Sequence, residues 1–246
     1  NPWLIFFDDD NEPHLRYITQ ASKLINNHPE VGCWGPAQIS VEYIGGQMND
    51  WLQKMKPVFQ ERFIAEEKTD NNQHWQIWYP VGTGLIIRKD LAGQYAQNVL
   101  QKKYFLSDRK GKSLSSGGDV QMVLCAIKEG YKAGISPALK MNHLIKKEKT
   151  SLGYILRLTY GTASAYIPAY NQVFDEHRFE IQKAGSRKIL IRIYSYFRIH
   201  YVKQKDKRDF WIGLTQVMGE FKASTDDKKF NTPLILRLYE RVISYK

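Results

Sequence analysis

The sequence predicts an α/β protein with a helical C-terminal region. Between residues 1 and 150, short apolar runs of strand length alternate with segments whose apolar residues recur at helical spacing. Beyond residue 150 the pattern is helical and rich in aromatic side chains. We therefore expect two domains, 1–150 with both strands and helices and 151–246 with helices alone.

The composition is that of an ordinary globular protein. Of 246 residues, 43% are hydrophobic and 25% are charged, so the chain can bury a substantial core. The two cysteines, Cys33 and Cys125, form no ligand-spaced cluster, which argues against a zinc module or a disulfide scaffold. The sequence shows no signal-peptide pattern and no apolar run near the roughly 20 residues of a membrane span. We expect a cytoplasmic protein.

The net charge of +11 is confined to the C-terminal part of the chain. Residues 1–139 hold 15 Lys/Arg and 15 Asp/Glu, whereas residues 140–246 hold 21 Lys/Arg against 10 Asp/Glu. A neutral N-terminal part (1–139) and a basic, aromatic C-terminal part (140–246) suggest that the first carries the chemistry and the second binds an anionic partner. One expectation is peripheral docking on an anionic membrane leaflet at its inner face. The other is a helical subdomain with a solvated basic face.

The N-terminal stretch carries the strongest local signal. The apolar run at residues 3–7 has the bounds of a buried strand, and it ends in Asp8-Asp9-Asp10. Asn11 as N-cap and Pro13 in the first turn predict a helix over 13–27. The apolar residues expected to face the core from that helix are Leu15, Ile18, Ala21, Leu24 and Ile25.

The remaining elements follow from periodicity and from Gly and Pro punctuation. We expect short strands at 31–36 and 38–44, a mixed helical stretch at 51–64 and a strand at 75–80. A glycine turn at 82–84 should lead into a strand that ends at Arg88, followed by a helix at 89–100. A mobile basic loop is expected at 107–118, then a helix from Asp119 to a C-cap at Gly130 and a short extended segment at 135–139.

Two acidic positions can carry chemistry. Three adjacent carboxylates repel one another, so their presence at a strand end is explained if Mg²⁺ or Mn²⁺ binds there. A polar turn in which one Asp caps the helix is the alternative. Asp119 follows Gly117-Gly118 at the start of a helix, where it is either a general base or an N-cap.

Four segments occur in order along residues 1–150. They are Phe6-Phe7-Asp8-Asp9-Asp10-Asn11, Gly82-Thr83-Gly84 running into Ile87-Arg88, Gly117-Gly118-Asp119-Val120, and Pro137 followed by His143-Leu144-Ile145. In this order they resemble the family 2 glycosyltransferases of GT-A fold. The resemblance implies a partial GT-A-type, Rossmann-like mixed sheet flanked by helices, followed by the α-helical C-terminal region.

The resemblance also implies residue roles. Asp8 and Asp10 match the DxD motif that binds Mn²⁺ or Mg²⁺, and His143 matches a His that approaches the metal or the diphosphate. Asp119 matches the catalytic base, and Gly118 stands where the family often has Glu. The residues expected to bind substrate are Gly82, Thr83, Gly84 and Gly118, together with Trp78 because it adjoins the Gly-Thr-Gly turn. Apart from the resemblance, Arg109 and Lys110 in the basic loop either close over the metal and the diphosphate or are simply solvated. Trp34, Trp51 and Trp75 are weaker candidates for sugar stacking.

The implied function is inverting, metal-dependent transfer of a sugar from a nucleotide-diphosphate donor to a glycan or lipid-linked acceptor hydroxyl. Cell-surface polysaccharide synthesis is the expected setting, and no nucleic-acid partner is expected. Gln-x-x-Arg-Trp, which marks processive members, does not follow Asp119, which favours a non-processive enzyme. The family's donor-binding strand–helix segment would precede the DxD strand, so we expect this chain to bind a nucleotide sugar poorly or not at all.

Two other classes of function remain open. Clustered Asp residues and a basic surface also suit a metal-dependent nucleotidyltransferase or nuclease, in which case salt-sensitive nucleic-acid binding is expected. A non-catalytic carbohydrate- or membrane-binding fragment is the other alternative.

Overall fold

The computed structural model describes residues 2–46, 48–104, 117–176, 179, 185–201, 206–225 and 232–245. These fall into two compact units that divide at Thr150 and Ser151, with residues 117 and 118 grouped with the second. The first unit is α/β, with a mixed sheet and flanking helices, and the second is helical. The α/β class expected from the sequence is therefore confirmed at this level.

The first unit is built on one sheet. Its strands are β1 (Trp3–Ile5), β2 (Asn11–Pro13), β3 (Val31–Ile44), β4 (Arg62–Phe63), β5 (Lys68–Asp70), β6 (Ile86–Arg88) and β7 (Lys132–Lys146). In the described part of the chain their order is β1-β6-β3-β7-β2, with β4 paired to β3 and β5 to β7. The long strands β3 and β7 run parallel, and the other pairings are antiparallel. The sheet is therefore mixed, with a parallel centre.

Helices flank this sheet. They are α1 (Tyr17–Asn27), α2 (Asp50–Met55), α3 (Lys89–Leu100) and α4 (Gly118–Lys128), and short 3₁₀ turns follow at Lys56–Phe59 and Lys147–Thr150. Asn49 caps α2, because its side chain accepts a hydrogen bond from the Leu52 N–H at 2.9 Å. Gly130 follows α4 at φ +85°, a left-handed conformation that ends the helix. The predicted bounds of α3 and the predicted C-cap of α4 are confirmed.

The core lies on β3 and β7. Every residue of β3 from Val31 to Ala37 is buried, as expected of a strand covered on both faces. Side chains of α1 pack on one side of these strands. The cluster contains Tyr17, Ala21, Leu24, Val31, Trp34, Ile39, Ile86, Leu139 and Met141. This packing holds the C-terminal half of β7, which contains His143, beside the segment that follows the Asp triplet.

The N-terminal predictions were wrong in three respects. The apolar run does not form a buried strand, because β1 lies at the sheet edge and Phe6 and Phe7 are each 40% exposed. Asn11 and Pro13 belong to β2, which pairs with β7, and so they do not start a helix. The helix begins only at Tyr17, which leaves Leu15 fully exposed and Ile18 half exposed. Long-range strand pairing outweighed the local capping signal.

Other strand predictions also need correction. β3 is one strand with an irregularity between Pro36 and Gln38, where two strands were expected, and β7 is far longer than residues 135–139. Residues 75–80 form turns where a strand was expected. Two of the carbonyls in this segment accept hydrogen bonds from a side chain, because the Arg62 guanidinium donates to Trp78 O and Tyr79 O. The expected loop at 107–118 lies, except for its last two residues, outside the described residues.

The second unit consists of helices. They are α5 (Leu152–Val173), α6 (Ser186–Tyr196), which continues as a π-helical turn at Phe197–Tyr201, α7 (Lys207–Ala223) and α8 (Leu234–Tyr245). Their shared core contains Leu156, Tyr160, Ile189, Phe210, Leu214, Met218, Leu236 and Ile243. No helix in the described residues has the length and apolar character needed to cross a membrane.

Candidate active site

Asp10 is the buried carboxylate of the Asp triplet. It precedes β2, and its carbonyl accepts from the Leu144 N–H of β7 at 2.8 Å. Only 6% of its side chain is exposed. Its Oδ2 accepts from Lys149 Nζ at 2.5 Å, and its Oδ1 lies 3.2 Å from Asn11 Nδ2 and 3.5 Å from His143 Nε2. Both oxygens therefore have partners from this chain.

The cations around Asp10 hold it ionised. Burial raises the pKa of this carboxyl, but the hydrogen bond from Lys149 and the charges of His143 and Lys149 act in the opposite direction and together prevail. The pKa of Asp10 is therefore lowered from 3.8. A buried carboxylate with an ammonium against it is a compensated charge, and it needs no other counter-ion to be stable in the fold.

The other two carboxylates of the triplet have different surroundings. Asp9 is 84% exposed at its side chain and lies 3.7 Å from Lys146 Nζ. Asp8 is exposed, and its backbone N–H donates to Asn11 Oδ1 at 3.2 Å. The repulsion among the three carboxylates is thus reduced, because the Asp10 side chain is buried and those of Asp8 and Asp9 are exposed to water.

The surroundings of Asp10 fit a divalent cation only in part. Asp10 supplies a carboxylate oxygen, a donor that suits Mn²⁺ and Mg²⁺, and His143 supplies an imidazole nitrogen, which suits the later transition metals better. Mg²⁺ and Mn²⁺ sites in enzymes often use one or two protein ligands and complete the shell with water and phosphate oxygens. Within the described residues, no group of three or more His, Cys, Asp or Glu side chains is arranged to hold a metal. Because Lys149 Nζ is bonded to Asp10 Oδ2, a metal on that oxygen has to displace the ammonium.

Asp119 is joined to the Gly-Thr-Gly turn. It is the second residue of α4, and its Oδ1 accepts from the Val120 N–H at 2.8 Å. Its Oδ2 accepts from the Gly82 N–H at 2.9 Å, across 37 residues of sequence. This second contact joins the start of α4 to the turn. The carboxylate is partly exposed and held in a fixed orientation against the turn.

The turn itself is fixed from several sides. Tyr17 Oη donates to Gly84 O at 2.5 Å, and Thr83 Oγ1 donates to Gln60 Oε1 at 2.6 Å. Gly84 has φ +73°, and a Cβ there would lie 2.7 Å from Met141 Cε and 2.7 Å from Tyr17 Oη. Only glycine satisfies both the backbone angle and the space. The turn is therefore a rigid element, with Thr83 and Gly84 buried.

A corner of the chain at residues 59–60 connects the two acidic positions. The Phe59 carbonyl lies 2.8 Å from His143 Nδ1. The next residue, Gln60, has φ +70° and receives the Thr83 hydroxyl. The path thus runs from Asp10 to His143, through residues 59–60 to Thr83 and Gly82, and ends at Asp119. The segment that precedes the triplet lies beside the strand that follows the turn, because the Phe6 N–H donates to Leu85 O at 2.8 Å.

Among the predicted site residues, the structure therefore brings Asp10, His143, the turn at residues 82–84 and Asp119 into one network. Gly118 is buried at the start of α4. Trp78 is partly exposed and packs edge-on against Tyr79, at 4.8 Å between ring centroids. Arg109 and Lys110 lie outside the described residues.

Two of the weaker stacking candidates are excluded. Trp34 is fully buried, and Trp51 is 6% exposed, so neither offers a ring face to a sugar. Both are core residues of the first unit. Trp75 is partly exposed and packs edge-on against Tyr79 at 5.5 Å.

Sequence reasoning missed three residues that shape the site. Lys149 lies in the basic run 146–149, which reads as a solvated surface, and nothing local marks it as the partner of Asp10. Gln60 gives no signal because its left-handed φ is visible only in the structure. Arg62 donates to the carbonyls of Pro36, Trp78 and Tyr79, while its Nη2 is buried without a hydrogen-bond partner in the described residues. Desolvation lowers the pKa of Arg62 to about 10.

Comparison of the chain with protein-family models, with curated proteins and with solved structures gave no significant match. The family resemblance of its motifs thus stays a prediction.

Proposed function

We propose that this chain belongs to a metal-dependent inverting glycosyltransferase, with a nucleotide-diphosphate sugar as donor and a glycan or lipid-linked hydroxyl as acceptor. The observation that carries the proposal is the connected path from Asp10 to Asp119. A buried carboxylate beside an imidazole and a second, partly exposed carboxylate are held on one scaffold by residues from five separate segments. This arrangement supports chemistry that needs an anion-neutralising position and a general base on one scaffold.

In this proposal the two carboxylates have different roles. Asp10 and His143 would hold Mn²⁺ or Mg²⁺, and such an ion would supply neutralisation of the charge on the diphosphate leaving group. Asp119 accepts the proton of the acceptor hydroxyl, whose oxygen attacks the anomeric carbon on the face opposite the diphosphate, so configuration inverts. The Gly82 N–H keeps the Asp119 carboxylate oriented during that transfer. Trp78, beside the turn, is the candidate face for the sugar ring.

The first experiment measures metal binding. Mn²⁺ is titrated into the metal-free protein by calorimetry, with Asp10→Asn and Asp9→Asn as a matched pair. Asp10→Asn should remove Mn²⁺ binding, whereas Asp9→Asn should leave it near the wild-type level because Asp9 is exposed and lies outside the network. Equal affinities for the two variants would remove the metal site from the proposal.

The second experiment measures chemistry. Release of nucleoside diphosphate from a panel of nucleotide-diphosphate sugars is followed, with Mn²⁺ and candidate glycan acceptors, in the chain joined to the donor-binding segment that the proposed family requires. A general base contributes about 10²–10⁴-fold, so Asp119→Asn should lower transfer by that factor while Mn²⁺ affinity is unchanged. Undiminished transfer in Asp119→Asn would refute the base assignment. Sequence-independent nucleic-acid binding that weakens steeply with salt would favour the nucleotidyltransferase alternative.

A further inference from the structure

The helix α6 is apolar on two faces, and the described residues cover only one of them. Ile189 is fully buried, and Ile193 and Tyr196 pack against the core of the second unit. A second set points to solvent: Leu190 is 54% exposed, Ile191 60% and Tyr194 65%. Exposed apolar side chains are common singly, but a contiguous group on one helix marks an interaction surface.

The helix α8 repeats this arrangement. Leu236 and Ile243 are buried in the same core. Leu234, Leu238 and Val242, spaced four residues apart and therefore along one side of the helix, are 58%, 49% and 53% exposed. Since α6 also packs against α8 within this unit, two neighbouring helices present uncovered apolar rows.

Basic side chains accompany the exposed row of α6. Residues 186–201 contain four Lys or Arg and no Asp or Glu. These four side chains are all exposed, and they are Arg187, Lys188, Arg192 and Arg198. On α8, Arg237 and Arg241 are exposed next to the apolar row. An apolar row with cations beside it is the pattern of a helix that lies in the interface of an anionic membrane.

We propose that the exposed sides of α6 and α8 bind the surface of an anionic lipid bilayer, with the apolar rows entering the headgroup boundary and the Lys and Arg side chains on the lipid phosphates. Charge favours this occupant over a second copy of the chain, because two copies of residues 186–201 would bring eight cations together with no acidic residue among them. The binding concerns the second unit and does not depend on the proposed catalytic chemistry.

The test is flotation of the full chain with vesicles of phosphatidylcholine alone or with 30 mol% phosphatidylglycerol. The wild type should float with the anionic vesicles and remain unbound with the neutral ones. Each basic residue near the surface contributes about fivefold, so Arg187→Gln/Lys188→Gln/Arg192→Gln should weaken partitioning roughly 100-fold. Raising the salt concentration should weaken wild-type binding in the same direction.

A second variant pair separates specific insertion from general stickiness. Ile191→Asn/Tyr194→Asn removes exposed apolar surface from α6, and Leu15→Asn/Ile77→Asn removes it from the first unit, where these side chains are 99% and 94% exposed. The first double variant should lose vesicle binding and the second should keep it. All four positions are exposed, so folding should be preserved, as circular dichroism can verify.

Three outcomes would overturn the inference. One is wild-type chain that stays unbound on anionic vesicles at low salt. Another is equal binding to the neutral and anionic vesicles. The third is a concentration-dependent dimer, seen by light scattering, that the Ile191→Asn/Tyr194→Asn variant abolishes, because the apolar rows would then be the contact between two copies.

Discussion

Replacing Lys149 by Met tests whether the chain's own ammonium occupies the position of a metal. The substitution keeps the length of the side chain and removes the cation from Asp10, whose side chain is 6% exposed. Breaking a fully buried ion pair costs about 3–5 kcal/mol, and an exposed pair is worth about 0–1 kcal/mol. Lys149 is 27% exposed, and Asp10 keeps Asn11 and His143 as partners. We therefore expect the metal-free protein to lose about 1–3 kcal/mol of stability.

The same substitution should strengthen metal binding. In the wild type a metal must displace the ammonium, so the energy of that pair is subtracted from the binding energy. With Lys149→Met this cost disappears, and Mn²⁺ affinity should rise roughly 5- to 150-fold, which corresponds to about 1–3 kcal/mol. The metal-saturated variant should then regain most of its lost stability, because the cation now compensates Asp10.

Urea unfolding with and without EDTA and calorimetric Mn²⁺ titration measure the two effects on the same samples. Lys147→Met is the matched control, since Lys147 is an exposed lysine two residues away in the same turn. It should change neither stability nor Mn²⁺ affinity. A Lys149→Met variant that is less stable but binds Mn²⁺ no better than the wild type would refute the argument, because Asp10 would then be a structural carboxylate only.

Three further predictions follow from the same unit. Gly84→Ala combines a positive φ with a Cβ 2.7 Å from Met141 Cε, so thermal denaturation should show a loss of about 2–4 kcal/mol in the free energy of unfolding. The control is Gly93→Ala in the interior of α3, where a Cβ meets no atom within 4 Å. That substitution should be neutral or stabilising by up to about 1 kcal/mol. In Arg62→Lys one ammonium replaces a guanidinium that donates to three carbonyls, and it cannot reach all of them. We expect urea denaturation to show a loss of about 1–3 kcal/mol in the free energy of unfolding. A variant as stable as the wild type would mean that the turns at residues 75–80 do not depend on Arg62. Because the pKa of Asp10 is lower in the folded protein than in the unfolded chain, its ionised form stabilises the fold above the unfolded-state pKa, near pH 4. This stabilisation is lost as the pH falls through the folded-state pKa. Asp10→Asn should therefore flatten the acid side of the profile of unfolding free energy against pH, measured by urea denaturation from pH 2 to 7.

Local patterns predicted the helices better than the strands. The bounds of α3 and the end of α4 depend on helix periodicity and on a glycine, which are properties of neighbouring residues. The position of β2 depends on its pairing with β7, about 130 residues away, and the local sequence of Asn11 and Pro13 favours a helix start instead. The turns at 75–80 similarly depend on Arg62, a side chain from another segment. Non-local partners of this kind leave no periodic trace in the sequence.

The candidate site was predictable to the extent that its residues stand in recognisable local contexts. Asp10 follows an apolar run, Asp119 follows two glycines, and the turn at 82–84 contains two more. Lys149 and Gln60 have no such context, because one is a member of a basic run and the other is a glutamine in a polar stretch. Their roles come from the 3₁₀ turn after β7, which brings Lys149 to Asp10, and from the left-handed backbone angle of Gln60, and neither is visible in the local sequence.

The distinction between a cap and a catalytic carboxylate at Asp119 now rests on Gly82. A cap needs only the N–H groups of its own helix. Asp119 also binds the turn through Gly82, and a Cβ at Gly82 would lie 3.2 Å from Asp119 Oδ2, so the glycine permits this close approach. If Asp119 were only a cap, Gly82→Ala would disturb stability alone. If it is the base, the same substitution tilts the carboxylate and should lower the rate of transfer more than it lowers stability, with Mn²⁺ affinity at Asp10 unchanged.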